Sequence, residues 1–128
     1  MSSCSIDLYT LPTIDFVGGS TQDLLFRVYF YQNKRPFGLS GCTANFSVVD
    51  YLDRTGAPII SKAMTVKLSD DGTIDNVLSV TLSPTDTVNL FGKYVYQISI
   101  QDVDGDVEIP NQGLMYINTN INKSFIKS

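Results

Sequence analysis

Histidine and tryptophan are both absent from this chain, cysteine occurs only twice, and no apolar run approaches the length of a membrane span. Without histidine the commonest general base is missing, and the Ser-His and Cys-His nucleophile arrangements are excluded. Cys4 and Cys42 lie far apart, with no second cysteine pair and no imidazole to complete a zinc site. The first seven residues, Met1 to Asp7, lack the basic region and continuous apolar core of a secretory leader. A spanning helix needs about 20 apolar residues, and no window supplies them. These absences predict a chain folded in a reducing cytoplasm, with both thiols free and no membrane partner. Positive charge is also scarce: nine Lys and Arg are scattered among thirteen Asp and Glu, for a net charge of −4. Binding to nucleic acid requires clustered cations that displace counterions, so no nucleic-acid partner is expected. Gly18-Gly19-Ser20-Thr21 resembles a fragment of a phosphate loop, but no lysine follows and no helix begins. It reads as a flexible link or bulge before the next strand.

What is present is a globular composition: 128 residues, 43% apolar and 17% charged, with seven Phe and seven Tyr. A chain of this size buries roughly two thirds of its unfolded surface as one domain. Residues 1–128 therefore read as a single domain, with a core over about 13–118 and terminal arms at 1–12 and 119–128. Strict apolar alternation dominates the interior. Leu24, Phe26, Val28 and Phe30 alternate with Arg27, Tyr29 and Tyr31; Ala44, Phe46 and Val48 alternate with Asn45, Ser47 and Val49. Leu78, Val80 and Leu82 repeat the pattern, as do Tyr94, Tyr96, Ile98 and Ile100 against Val95, Gln97 and Ser99. A last strand covers 114–118, and weaker strands fall at 13–17 and 59–66.

Turn chemistry separates these strands at Asn33-Lys34-Arg35-Pro36, at Asp53-Arg54-Thr55-Gly56, at Ser69-Asp70-Asp71-Gly72 and at Asp104-Gly105. About seven to eight short strands at this spacing predict an all-β, antiparallel, immunoglobulin-like β-sandwich. One segment near 84–90 differs. Ser83 is an N-cap, Pro84 suits the first helical position, Asp86 follows three residues after the cap, and Gly92 is a stop. That predicts one helical turn leading into a strand at Gly92-Lys93-Tyr94. Tyr94 then fits the tyrosine that bonds back to the preceding loop in such sandwiches, and Tyr96 falls where an antibody domain carries its second cysteine.

The acidic concentrations, Asp70-Asp71 and the group Asp102, Asp104 and Asp106, occupy turns, which seldom desolvate a carboxyl enough for acid catalysis. The second group invites a calcium reading, since hard cations take several oxygens. Its glycine is misplaced for a calcium loop and Glu108 arrives too early to close one, so a two-residue Asp104-Gly105 turn explains the letters; weak cation binding stays open. No catalytic residue, metal site or cofactor is assigned. Asn45-Phe46-Ser47 and Asn122-Lys123-Ser124 match the glycosylation sequon, which has no meaning in a cytoplasmic chain. Tyr29 and Tyr31, with Phe37 nearby and Phe125 in the tail, form the candidate interaction surface, open to a sugar platform, a protein contact or cover by the chain's own termini.

The order of these elements carries a resemblance. A strand at Leu24 to Tyr31 is followed by a loop with basic residues and Pro36. Phe37-Gly38-Leu39-Ser40-Gly41 comes next, then a strand ending in Asp53-Arg54-Thr55-Gly56, and then Pro58-Ile59-Ile60. Together with Gly92-Lys93-Tyr94 and Asp104-Gly105, this is similar to the amino-terminal immunoglobulin-like domain of upper baseplate and tail proteins of tailed bacteriophages, over residues 13–118. The lead before residue 13 and the Asn-rich tail are outside that pattern. The resemblance implies structural roles for Leu39, Gly41, Tyr94 and Gly105, and a virion component assembled in the bacterial cytoplasm. It would be a non-enzymatic module that docks other tail or baseplate subunits or self-associates through sheet edges and terminal arms. The alternative expectation is a carbohydrate-binding or adhesive immunoglobulin-like module.

Overall fold

Two sheets pack face to face around a core drawn from every long strand. The computed structural model describes residues 11, 13–27, 39, 41–68, 72–109 and 112–126. In chain order the strands are β1 (Ile14–Val17), β2 (Gln22–Arg27), β3 (Thr43–Asp50), β4 (Ile60–Ala63), β5 (Thr65–Lys67), β6 (Val77–Leu82), β7 (Gly92–Gln101), β8 (Val107–Glu108) and β9 (Gln112–Asn118). A helical turn, α1 (Pro84–Thr87), joins β6 to β7, and a 3-10 turn covers Lys123–Phe125.

The larger sheet has the order β1-β9-β7-β3-β4, with β8 also paired to β7, and the smaller has the order β2-β6-β5. All pairings are antiparallel except β1 on β9, which run parallel with Ile14 opposite Met115. A three-strand sheet facing a sheet whose centre is the third, seventh and ninth strands is the arrangement of immunoglobulin-like sandwiches, with β4 as an added edge strand. The chain is an all-β, immunoglobulin-like β-sandwich.

The alternation read from sequence is the alternation that fills the core. Ala44, Phe46 and Val48 point inward from β3, and Tyr94, Tyr96, Ile98 and Ile100 do so from β7. They meet Phe26 of β2 and Leu78, Val80 and Leu82 of β6. Three rings lie at the centre: Phe46 to Tyr96 at 5.4 Å between centroids, Phe26 to Tyr96 at 6.1 Å, and Phe26 to Phe46 at 6.4 Å, all tilted. These sit on the strands that in antibody domains carry the inter-sheet disulfide and the tryptophan packed on it. Here aromatic pairing, worth about 0.5–1.5 kcal/mol per pair beyond burial, replaces the covalent link between sheets.

Four local expectations need correction or refinement. The strand expected over 59–66 is two strands: Met64 is buried between them, its N–H bonds Ala44, and the chain changes sheets there. The Asp104-Gly105 turn is one residue longer than a two-residue hairpin. Gly105 N–H bonds the Asp102 carbonyl, Asp102 N–H bonds that of Asp106, and Gly105 has φ +91°. Gly18 and Gly19 are not a flexible link but a buried joint. A Cβ on Gly18 would lie 2.5 Å from the Thr87 carbonyl oxygen, and Gly19 (φ +90°) donates its N–H to the buried Thr87 hydroxyl at 2.8 Å. The strand expected to start at Asp23 begins one residue earlier, and its continuation past Arg27 lies outside the described residues.

Candidate interface on the outer face of the large sheet

Strand alternation sends Val49 of β3, Val95 of β7 and Leu114 of β9 to the outer face of the large sheet, where the register sets Val95 opposite both Val49 and Leu114. A solvent-facing strand position ordinarily carries a polar residue. Val95 is buried all the same, although it belongs to no part of the inter-sheet core. The cause is the connection from β3 to β4. It leaves the sheet at Tyr51, is pinned by Tyr51 N–H to the Lys93 carbonyl and by a bridge between Asp50 and Asp53, and brings Arg54, Gly56 and Pro58 over the valines.

The result is a cleft of about 220 Å3 lined by Ser47, Val49, Arg54, Gly56, Pro58, Val95, Gln97 and Gln112 together with the main chain around Tyr96. Sites for small organic ligands usually run to roughly 300–1,000 Å3. This cleft is sized for one or two side chains of a partner.

Its rim is cationic, although the chain as a whole is acidic. The Arg54 guanidinium carbon stacks 4.2 Å from the centre of the Tyr51 ring, and its Nε donates to the Tyr51 carbonyl at 3.1 Å. The Lys93 ammonium lies 3.9 Å from the same ring centre and 5.9 Å from that of Tyr116. One tyrosine thus holds two cations, at about 0.5–1 kcal/mol each in an exposed setting. Two acids of the same turn keep their charge beside these cations while holding its backbone and side chains: Asp50 Oδ1 accepts the Leu52 N–H, and Asp53 Oδ1 accepts the Thr55 hydroxyl. On the far wall the Gln112 amide donates to Gln97 Oε1 at 2.9 Å, and Gln97 passes a hydrogen bond to Ser99.

The arrangement offers an apolar floor, amide donors and acceptors, and two held cations. That set recognises a carboxylate beside an apolar group; it contains no nucleophile paired with a base. Among the described residues no three His, Cys, Asp or Glu come together to hold a metal, and no helix is long and apolar enough to cross a membrane.

The site residues singled out from sequence that the structure describes do not line the cleft. Tyr29, Tyr31 and Phe37 are outside the described residues, as is Cys4. Phe125 ends the 3-10 turn and is 81% exposed. Leu39 is fully buried, its N–H bonded to Asp75 and its carbonyl to Cys42 N–H across a turn in which Gly41 has φ +82°. The Tyr94 hydroxyl donates to the Phe91 carbonyl at 3.0 Å and accepts the Phe91 N–H at 3.1 Å. Burial raises its pKa and neighbouring Asp50 raises it further, against the Phe91 bond; burial alone pushes the Tyr96 phenol far up. Asp102 turns its carboxylate onto the N–H groups of Asp104 and Asp106, which is turn chemistry. The cleft itself escaped the sequence reading. Its one signal was apolar Val49, Val95 and Leu114 at outward positions of three strands, and only the register makes them neighbours.

No protein-family model and no curated protein sequence matches the chain. Among solved structures, it is similar to CopC from Methylosinus trichosporium OB3b at 18% identity and TM-score 0.43, over 85% of this chain and 87% of that one. It is also similar to murine CRIg at 12% identity and TM-score 0.36, over 87% and 94%. AggA, the major subunit of aggregative adherence fimbriae type I from Escherichia coli, aligns at 12% identity and TM-score 0.34, over 93% and 97%. At these scores the likenesses carry no argument, and the fold assignment stands on strand order and register.

Proposed function

We propose that the chain is a non-enzymatic assembly module that docks other subunits of a phage or prophage tail or baseplate, the assembly its motifs resemble. The observation that supports this is a set of exposed large apolar side chains that follow or precede strand ends at one end of the sandwich. β3 and β9 end, and β7 begins, at that end, and these strands are neighbours in the sheet. Leu52, Phe91, Ile121 and Phe125 project there at 91%, 65%, 99% and 81% exposure. Scattered apolar residues are ordinary on a protein surface, but several gathered at one end mark a contact surface. Among the described residues the outer edges of β4, β2 and β5 are also unpaired, and such edges accept a strand from a partner. The adhesive alternative depends on Tyr29, Tyr31 and Phe37, which lie outside the described residues, so no specific observation favours it.

The test is composition of particles. Tail-like particles purified by sedimentation from cells that make the protein should contain it in fixed ratio to their other components, by quantitative mass spectrometry. Recovery of the chain solely in the soluble fraction, with particles free of it, overturns the reading.

A further inference from the structure

The two ends of the large sheet differ in character. Over the first half of β7 the cleft presents Arg54 with Val49 and Val95, Lys93 stands beside it on the Tyr51 ring, and Asp53 lies behind Gly56. Beyond the far end of β7, which closes at Gln101, the β7–β8 loop presents Val103-Asp104-Gly105-Asp106, starting about five residues or roughly 17 Å past Gln97 of the cleft. Val103 is 76% exposed and Val107 56%. The loop is rigidly built: Asp102 caps two of its N–H groups, Gln101 Nε2 bonds the Gly105 carbonyl, and Val103 packs across Gly41. The side chains of Asp104 and Asp106 take no part in that network and stand exposed.

We infer that the cleft receives the β7–β8 loop of a second copy of this chain, so that copies associate head to tail. Val103 supplies the apolar group that Val49, Val95 and Pro58 accept, and Asp104 and Asp106 supply carboxylates to Arg54 and Lys93. A single valine with its flanking backbone matches a cleft of about 220 Å3. Leu52, also exposed and flanked by acids, does not fit the role, because Asp50 and Asp53 are bonded within their own turn, which itself walls the cleft; Val107, between Asp106 and Glu108, belongs to the same hairpin as Val103. Because cleft and loop are different surfaces, the contact is heterologous and builds rings or open stacks rather than closed symmetric pairs. The inference deepens the assembly reading and rests on it by naming one partner.

The experiment is sedimentation velocity of the full chain up to about 1 mM, where weak contacts populate, in about 0.02 M and about 0.5 M salt, which screen very differently. The wild type should exceed its monomer mass of 14.1 kDa as concentration rises at low salt, and return toward it at high salt. Arg54→Glu with Lys93→Glu, and separately Asp104→Lys with Asp106→Lys, should each stay monomeric, since each then sets like charges against each other. Mixing the two variants should restore association, because every junction in the mixture pairs opposite charges. Should either reversal perturb folding by circular dichroism, Arg54→Gln and Asp104→Asn replace them, each expected to weaken association several-fold. A wild type that remains monomeric throughout overturns the inference, as does a loop variant that associates like wild type or a mixture that fails to recover. Presence of the chain in particles despite a monomeric result would sink this inference alone and leave the assembly role intact.

Discussion

Tyr96 and Gly113 stand opposite each other across β7 and β9, and the missing side chain of Gly113 is what admits the Tyr96 ring to the core. A Cβ on Gly113 would lie 2.6 Å from Cε2 and 2.7 Å from Cζ of that ring, and 2.8 Å from Cβ of Leu11. Gly113→Ala therefore forces the central ring out of place, at a cost of about 1–3 kcal/mol by the usual scale for overpacking. Urea unfolding should show the loss as a lower midpoint with an unchanged slope. Adding Tyr96→Leu should recover the part of the loss that the ring causes, and the remainder belongs to the contact with Leu11 Cβ. A Gly113→Ala protein as stable as wild type would mean that the ring has room to move.

The inner face of this sandwich was legible because each strand's alternation states which residues are buried. Phe26, Phe46 and Tyr96 each declare an inward position in their own strand. That the three rings meet is set by sheet packing, which no local pattern encodes. Gly18 and Gly19 show the same limit from the other side. Two adjacent glycines read as slack, yet the partner that makes them a joint, Thr87, lies 68 residues on. The cleft draws its walls from β3, the β3–β4 connection, β7 and β9, and its apolar floor exists only through register. The helical turn, in contrast, was wholly local: Ser83, Pro84 and Asp86 carry their own instructions, and the structure uses all three.

Thr87 is fully buried, and its hydroxyl accepts the Gly19 N–H. Thr87→Val keeps the shape and removes the acceptor, stranding a buried donor at about 1–3 kcal/mol. Thr87→Ser keeps the acceptor and loses a methyl, for about 1 kcal/mol. The order of stabilities should be wild type, Ser, Val, and amide exchange at Gly19 should accelerate most in Val. Equal losses in the two variants would assign Thr87 a packing role only.

Asp86 ties α1 to β4. Its carboxylate accepts both the N–H and the hydroxyl of Ser83 and forms an ion pair with Lys62, which also bonds the Thr81 carbonyl. Burial pushes its pKa up, but Lys62 and Ser83 outweigh that, and the net shift is down from 3.8. A folded pKa below the unfolded one adds stability above the unfolded value and loses it as pH falls through the folded value. Asp86→Asn should thus cost about 1 kcal/mol at neutral pH, and its stability curve should converge on the wild-type curve in acid below about pH 4. Unfolding midpoints across pH decide it: parallel curves down to the acid limit would show that the cap and ion pair contribute nothing that protonation removes.

Leu52 and Phe125 test whether the apolar end is a contact surface or merely uncovered core. Each is more than four fifths exposed, so neither loses burial in the isolated chain when shortened. Leu52→Ser with Phe125→Ser should leave the unfolding free energy within about 0.5 kcal/mol of wild type, the range of ordinary surface changes. In purified particles the same pair should deplete the chain, because apolar area that a partner covers contributes roughly 25 cal/mol per Å2 to docking. Stability and incorporation must separate for the docking reading to hold. A double variant that unfolds early would mean that other parts of the chain cover these side chains, and one that enters particles at the wild-type level would place the contact elsewhere.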